Sequence, residues 1–149
     1  MKEWESIMRE AKQAFNDKVF SVAIFLNKQA LDVANDRFNE YVNEDAEKSV
    51  AAVMVSYFSL ADSYIQIRDF QQAYSIYQQS FSFLQVITSD LYKNRELEVA
   101  ASHGMSHLKN EWYLFIKHHE NKLQTLTPSL IHQFQKNLNQ LMSATLTIH

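Results

Sequence analysis

The sequence predicts an all-α protein, and three observations carry that prediction. Its 149 residues contain one glycine, Gly104, and one proline, Pro128. That supply is too small for the many tight turns of sandwiches and barrels or for the glycine-rich loops of Rossmann domains. Apolar residues recur at intervals of three and four over long stretches, the period of an amphipathic helix and not of a strand. The interruptions between those stretches are short and polar, as helix ends require. The length suits a single domain spanning 1–149, and 46% hydrophobic with 21% charged residues is a globular composition.

The elements follow in order. Ile7, Ala11, Ala14 and Phe15 form the apolar stripe of a first helix near 2–15, interrupted at Asn16-Asp17. From Val19 the stripe resumes through Ala23, Leu26, Ala30, Leu31, Ala34 and Phe38, predicting a second helix to about Tyr41. Asn43-Glu44-Asp45 supplies cap residues and negative charge for a third helix carrying Val50, Val53, Tyr57, Leu60, Ala61 and Tyr64. After Arg68-Asp69 comes a fourth helix with Phe70, Ala73, Tyr77, Phe81, Leu84 and Ile87. Thr88-Ser89-Asp90 reads as a stop followed by a cap, so a fifth helix is expected from Leu91 to about Lys122, with Gly104 able to divide it. Thr127-Pro128 then opens a last helix that presents Leu130, Ile131, Phe134, Leu138, Leu141 and Met142.

Sliding the chain by 50 positions aligns Ala11 with Ala61, Phe20 with Phe70, Ala23 with Ala73, and Leu31 with Phe81. A small residue on each side of a turn lets two helices cross closely. In the second copy the order Tyr57, Leu60, Ala61, Tyr64, then Phe70, Ala73, Tyr77 and Ser80 resembles the tetratricopeptide repeat family. The first copy matches at Ile7, Ala11, Phe20, Ala23 and Ala30 and departs at Glu10, Ala14 and Asn27. Because the family unit is about 34 residues, the longer period predicts second and third helices extended by about two turns each. The resemblance covers roughly residues 5–88. It implies antiparallel hairpins (1–41 and 44–88) stacked as a short right-handed array, with 90–149 forming capping helices.

It also implies a groove, lined by the first helix of each pair, that takes a peptide or helix of a partner protein. Carried over by position, the groove residues are Met8, Lys12 and Phe15 from the first unit and Phe58, Asp62, Ile65 and Gln66 from the second. The Lys/Asn pattern that binds a terminal carboxylate is missing, since Met8, Lys12 and Ser59 occupy its places. Phe58 and Ile65 read equally well as core residues beneath the C-terminal helices.

Other chemistry is weakly represented. Walker, GxGxxG, GxSxG and EF-hand loops all need glycines that are not there. His103, His107 and Glu111 share one helical face at i, i+4 and i+8 and are the candidate metal ligands, although neither HExxH nor ExxH accompanies them. Glu44, Asp45 and Glu47 read as helix-start charge, no cofactor is expected, and the chain is not expected to be an enzyme. Net charge is −3, with an acidic part before residue 76 and all six histidines after it, which argues against a nucleic-acid partner. The longest uncharged run, Phe70 to Ser89, holds five glutamines and four serines and so does not read as a membrane span. The start of the chain carries no apolar leader core, and a cytoplasmic location is the default expectation. The functional expectation is a protein–protein interaction module, adaptor or chaperone-like. A self-associating homodimer is the alternative, and a histidine-based metal or pH sensor stands third.

Overall fold

The computed structural model describes residues 1–89, 94–122 and 128–148. The described chain is helical: α1 (Lys2–Asn16), α2 (Phe20–Tyr41), α3 (Ala46–Gln66), α4 (Phe70–Ile87), α5 (Arg95–His119), a short 3-10 turn (Glu120–Lys122) and α6 (Pro128–Ile148). Sequential helices pack as neighbours, and α3 is central, touching α1, α2, α4 and α5. Its composition suits that place. Buried residues occur on nearly every side of α3, from Val50, Val53 and Met54 to Tyr57, Leu60 and Ala61, with Ser49, Ser56 and Ser63 where larger side chains would hold neighbours apart. The buried Ser56 hydroxyl donates to the Ala52 carbonyl at 2.7 Å, and Ser63 donates to Ser59 at 3.0 Å, so these hydroxyls enter the core satisfied.

The two hairpin turns are copies of one another. α1 ends with Lys18 at φ 62°, and α3 ends with Arg68 at φ 62°. Lys18 N–H donates to Phe15 O at 3.0 Å and Val19 N–H to Ala14 O at 2.9 Å. Fifty positions on, Arg68 N–H donates to Ile65 O and Asp69 N–H to Tyr64 O, each at 2.9 Å. Both are Schellman closures with a non-glycine residue in the left-handed position. Ala11, Ala23, Ala61 and Ala73, the small residues expected at the crossings, are all buried. The extra length lies in α2 and α3, which have 22 and 21 residues against 15 in α1 and 18 in α4.

Caps set the helix starts. Asp45 accepts from Lys48 N–H at 3.0 Å and Asp69 from Gln72 N–H at 3.2 Å, as the polar breaks predict. The fifth helix differs from expectation. Its cap is Asn94, which accepts from Leu97 N–H at 3.2 Å, so the helix starts at Arg95 and gives way to the 3-10 turn after His119. The expected caps Asp90 and Thr127, and the expected start at Leu91, lie outside the described residues. Gly104 does not divide α5. A Cβ built there would meet Leu84 Cδ2 at 3.1 Å and Met54 Cγ and Val50 Cγ1 at 3.5 Å, so the missing side chain lets α5 seat closely against α3 and α4. Toward its C-terminal end the same buried face of α5 supplies the centre of an aromatic cluster. Trp112, 1% exposed, lies 4.4 Å from the Phe134 ring, 5.7 Å from Tyr74 and 5.7 Å from Phe115. This cluster ties α6 to α4 and α5.

Candidate functional site

The site begins with α1, whose sequence places Trp4, Met8, Ala11, Lys12 and Phe15 at intervals of three and four on one side. At its N-terminal end α1 is fastened to α3: Trp4 Nε1 donates to Ser56 Oγ at 2.8 Å, and Glu5 lies 3.6 Å from Lys48. Beyond that fastening a groove of about 420 Å³ remains between the two helices. Met8, Arg9, Lys12 and Phe15 wall it on one side and Val55, Ser59 and Asp62 on the other, with Asn27 of α2 also lining it. Its size falls in the ordinary range of ligand pockets, and its lining is mainly apolar with a few polar groups.

Those polar groups are unevenly satisfied. Asn27 is 2% exposed; its Nδ2 donates to Ser63 Oγ at 3.2 Å and to the Ser59 carbonyl at 3.4 Å, while Oδ1 is buried with no partner. Leaving a buried acceptor unpaired typically costs about 1–3 kcal/mol, so the structure keeps an unspent hydrogen-bond site here. Asp62 retains accessible surface at the groove yet is crowded by protein within the concavity. That crowding pushes its carboxyl up to about 7, and the nearby Glu111 carboxylate adds to the rise. Burial likewise raises the Tyr77 hydroxyl, with the Asp62 and Glu111 charges contributing. Arg9 and Lys12 are exposed, and among the described residues neither forms an ion pair, unlike Arg37 and Lys48.

Of the residues expected to bind a partner, Met8, Lys12, Phe15 and Asp62 come together in this groove. The other three do not. Phe58 is core, 5% exposed, with its ring 4.7 Å from His107 of α5; Ile65 is half-buried against the core; Gln66 is exposed and outside the groove lining. For Phe58 the reason is that α5 packs on α3 and covers it. Trp4, Arg9, Asn27, Val55 and Ser59 were not among the expected residues. For Asn27 a signal existed: it is an amide on a stripe of alanines and leucine, and a departure from the repeat pattern.

His103, His107 and Glu111 do not converge as a ligand set. His103 Nδ1 lies 2.9 Å from Glu47 Oε1 on α3, whereas His107 Nε2 lies 3.6 Å from Glu111 Oε1. Among the described residues no group of three or more His, Cys, Asp or Glu side chains is placed to hold a metal ion. His119, stacked 5.0 Å from Phe70, has its basicity lowered by burial and then by the neighbouring Lys122, His118 and Arg68 charges.

A family model described as a protein of unknown function, DUF2753, matches residues 2–149. The chain belongs to the DUF2753 family. No tetratricopeptide repeat family model was found to match, and no curated protein and no solved structure matches. Among the described residues of this DUF2753 chain, no helix is long and apolar enough to cross a membrane.

Proposed function

We propose that this DUF2753 chain is a non-enzymatic binding module of the cytoplasm that holds a peptide or helix of a partner protein in the α1–α3 groove, as an adaptor or chaperone does. The observation that carries the reading is the groove itself: apolar walls, with a buried acceptor and two cations that are unpaired among the described residues, in one concavity. The two matching Schellman turns and the buried alanines at a 50-residue period support a tetratricopeptide-like relation between the hairpins. In such arrays the first helices of adjacent pairs line the binding face. Capture from native lysate by the wild type and by Met8→Lys/Phe15→Lys tests the reading. Proteins held by the first and released by the second, at an unchanged melting temperature, support it. Identical capture by both overturns it.

Self-association is a second reading with its own observation. Val19, Val22 and Phe25 line up at intervals of three where α2 begins, and are 46%, 44% and 66% exposed. If this strip joins two copies, light scattering shows a dimer that Phe25→Glu separates. A strict monomer at high concentration removes it.

A further inference from the structure

The chemistry of the groove selects among peptides, and this inference rests on the groove being a peptide site. The orientation of the Asn27 amide is set by its neighbours. Ser63 spends its proton on the Ser59 carbonyl at 3.0 Å, so its oxygen accepts from Asn27 Nδ2, and the second N–H of the same amide points to the Ser59 carbonyl. Asn27 therefore cannot offer a donor to an incoming group. It offers one buried acceptor, Oδ1, on a residue that lines the groove together with Met8, Phe15 and Val55.

We infer that the groove receives a partner peptide by inserting one tryptophan or tyrosine side chain, whose indole N–H or phenol O–H donates to Asn27 Oδ1, with acidic residues of the peptide beside Arg9 and Lys12. A donor must reach a buried atom past apolar walls, which calls for an apolar body with a polar tip. Serine and threonine are too short for that. Lysine and arginine would carry charge into an apolar lining beside Arg9 and Lys12, two cations against the single carboxyl group of Asp62 on the opposite wall. Phenylalanine would fill the space but gain no bond at Oδ1, which is already unpaired in the free chain, so tyrosine and tryptophan are favoured over it by that one bond. The flanking preference follows from Arg9 and Lys12, which are solvent-exposed, stand on one wall and have no acidic partner among the described residues.

The test titrates acetylated, amidated pentapeptides Asp-Glu-X-Asp-Glu into the full-length 15N-labelled chain, with X as tryptophan, 1-methyltryptophan, tyrosine or phenylalanine. The tryptophan and tyrosine peptides should shift the Asn27 side-chain amide, the Trp4 indole and the amides of residues 8–15. Methylating the indole nitrogen, which replaces the donor proton with a methyl group, should weaken binding at least tenfold, and phenylalanine, which removes the hydroxyl donor without adding bulk, should do the same relative to tyrosine. Arg9→Glu/Lys12→Glu, on exposed positions, should weaken the tryptophan peptide severalfold and reduce its salt dependence. Equal binding of methylated and unmethylated peptides at the groove overturns the donor requirement while leaving the peptide site standing. If no peptide moves groove signals at millimolar concentration, the inference falls. Partner capture that is still sensitive to Met8→Lys/Phe15→Lys would then preserve the broader reading, and loss of both would remove the two together. Because the decisive comparison is made on the wild-type chain, an Asn27 variant that fails to fold cannot obscure it.

Discussion

The two sides of α3 face the same kind of neighbour and end differently. Toward α5 the seam is closed: Gly104 removes a side chain at the contact with Leu84, Met54 and Val50, and Met105, Leu108 and Trp112 are fully buried along that helix. Toward α1 the seam is fastened at Trp4–Ser56 and then left as a groove. The groove walls carry Arg9 and Lys12 on one helix and Ser59 and Asp62 on the other, groups that lose more by dehydration than the contact would return. Small apolar residues close a helix seam, and polar ones placed opposite each other hold it open. One helix thus has a structural side and a binding side.

The largest expected effect lies on the closed side. Trp112→Ala should cost about 3–5 kcal/mol, since it empties the centre of the α4–α5–α6 aromatic cluster, whereas Met8→Ala in the groove should cost under about 1 kcal/mol. Urea denaturation of the two variants measures the gap; similar losses would erase the distinction between the seams. Gly104→Val comes next. It forces branched carbons against Leu84 Cδ2, which already lies 3.1 Å from the Cβ position, and should cost about 1–3 kcal/mol. Val55→Leu, facing the groove, should change stability by no more than about 0.5 kcal/mol.

A smaller effect separates the sides by pH. The Asp62 carboxyl has its folded-state value raised to about 7, above the ordinary unfolded value of about 3.9. The folded state therefore binds more protons than the unfolded state between those values, and this group's contribution to stability falls as pH rises from about 4 to about 7. Asp62→Asn should flatten that decline and leave the protein more stable than wild type at pH 8. A decline of the same slope in the variant would show that Asp62 is not its source. The smallest expected effects come from the matched turns. Lys18→Gly and Arg68→Gly relieve a left-handed side chain and should each add about 0.5–1 kcal/mol. The gain at Arg68 should be the lesser, because its guanidinium sits 5.5 Å from the Phe70 ring centre. Gains in both would sharpen the equivalence of the hairpins; a loss in one would show that the turns only look alike.

Much of the fold is legible in the residues alone because it is local. The helix period, the Asp45 and Asp69 caps, the Pro128 start and the 50-residue spacing of alanines are each set by interactions within a few turns. Half of the site was legible for the same reason, since Met8, Lys12 and Phe15 share a helix side whatever surrounds it. What α3 does with its two apolar stripes was not. Phe58 and Asp62 belong to one expected stripe, and only the arrival of α5 from about 50 residues away made Phe58 core while Asp62, with Val55, was left lining a groove. The same holds for Asn27 and Gly104. An amide on an alanine stripe and a glycine in a helix each read locally as a weakness. Their roles, an unspent acceptor and a close crossing, exist only once a third helix is packed against them, because burial and hydrogen-bond satisfaction are properties of neighbours and not of the residue.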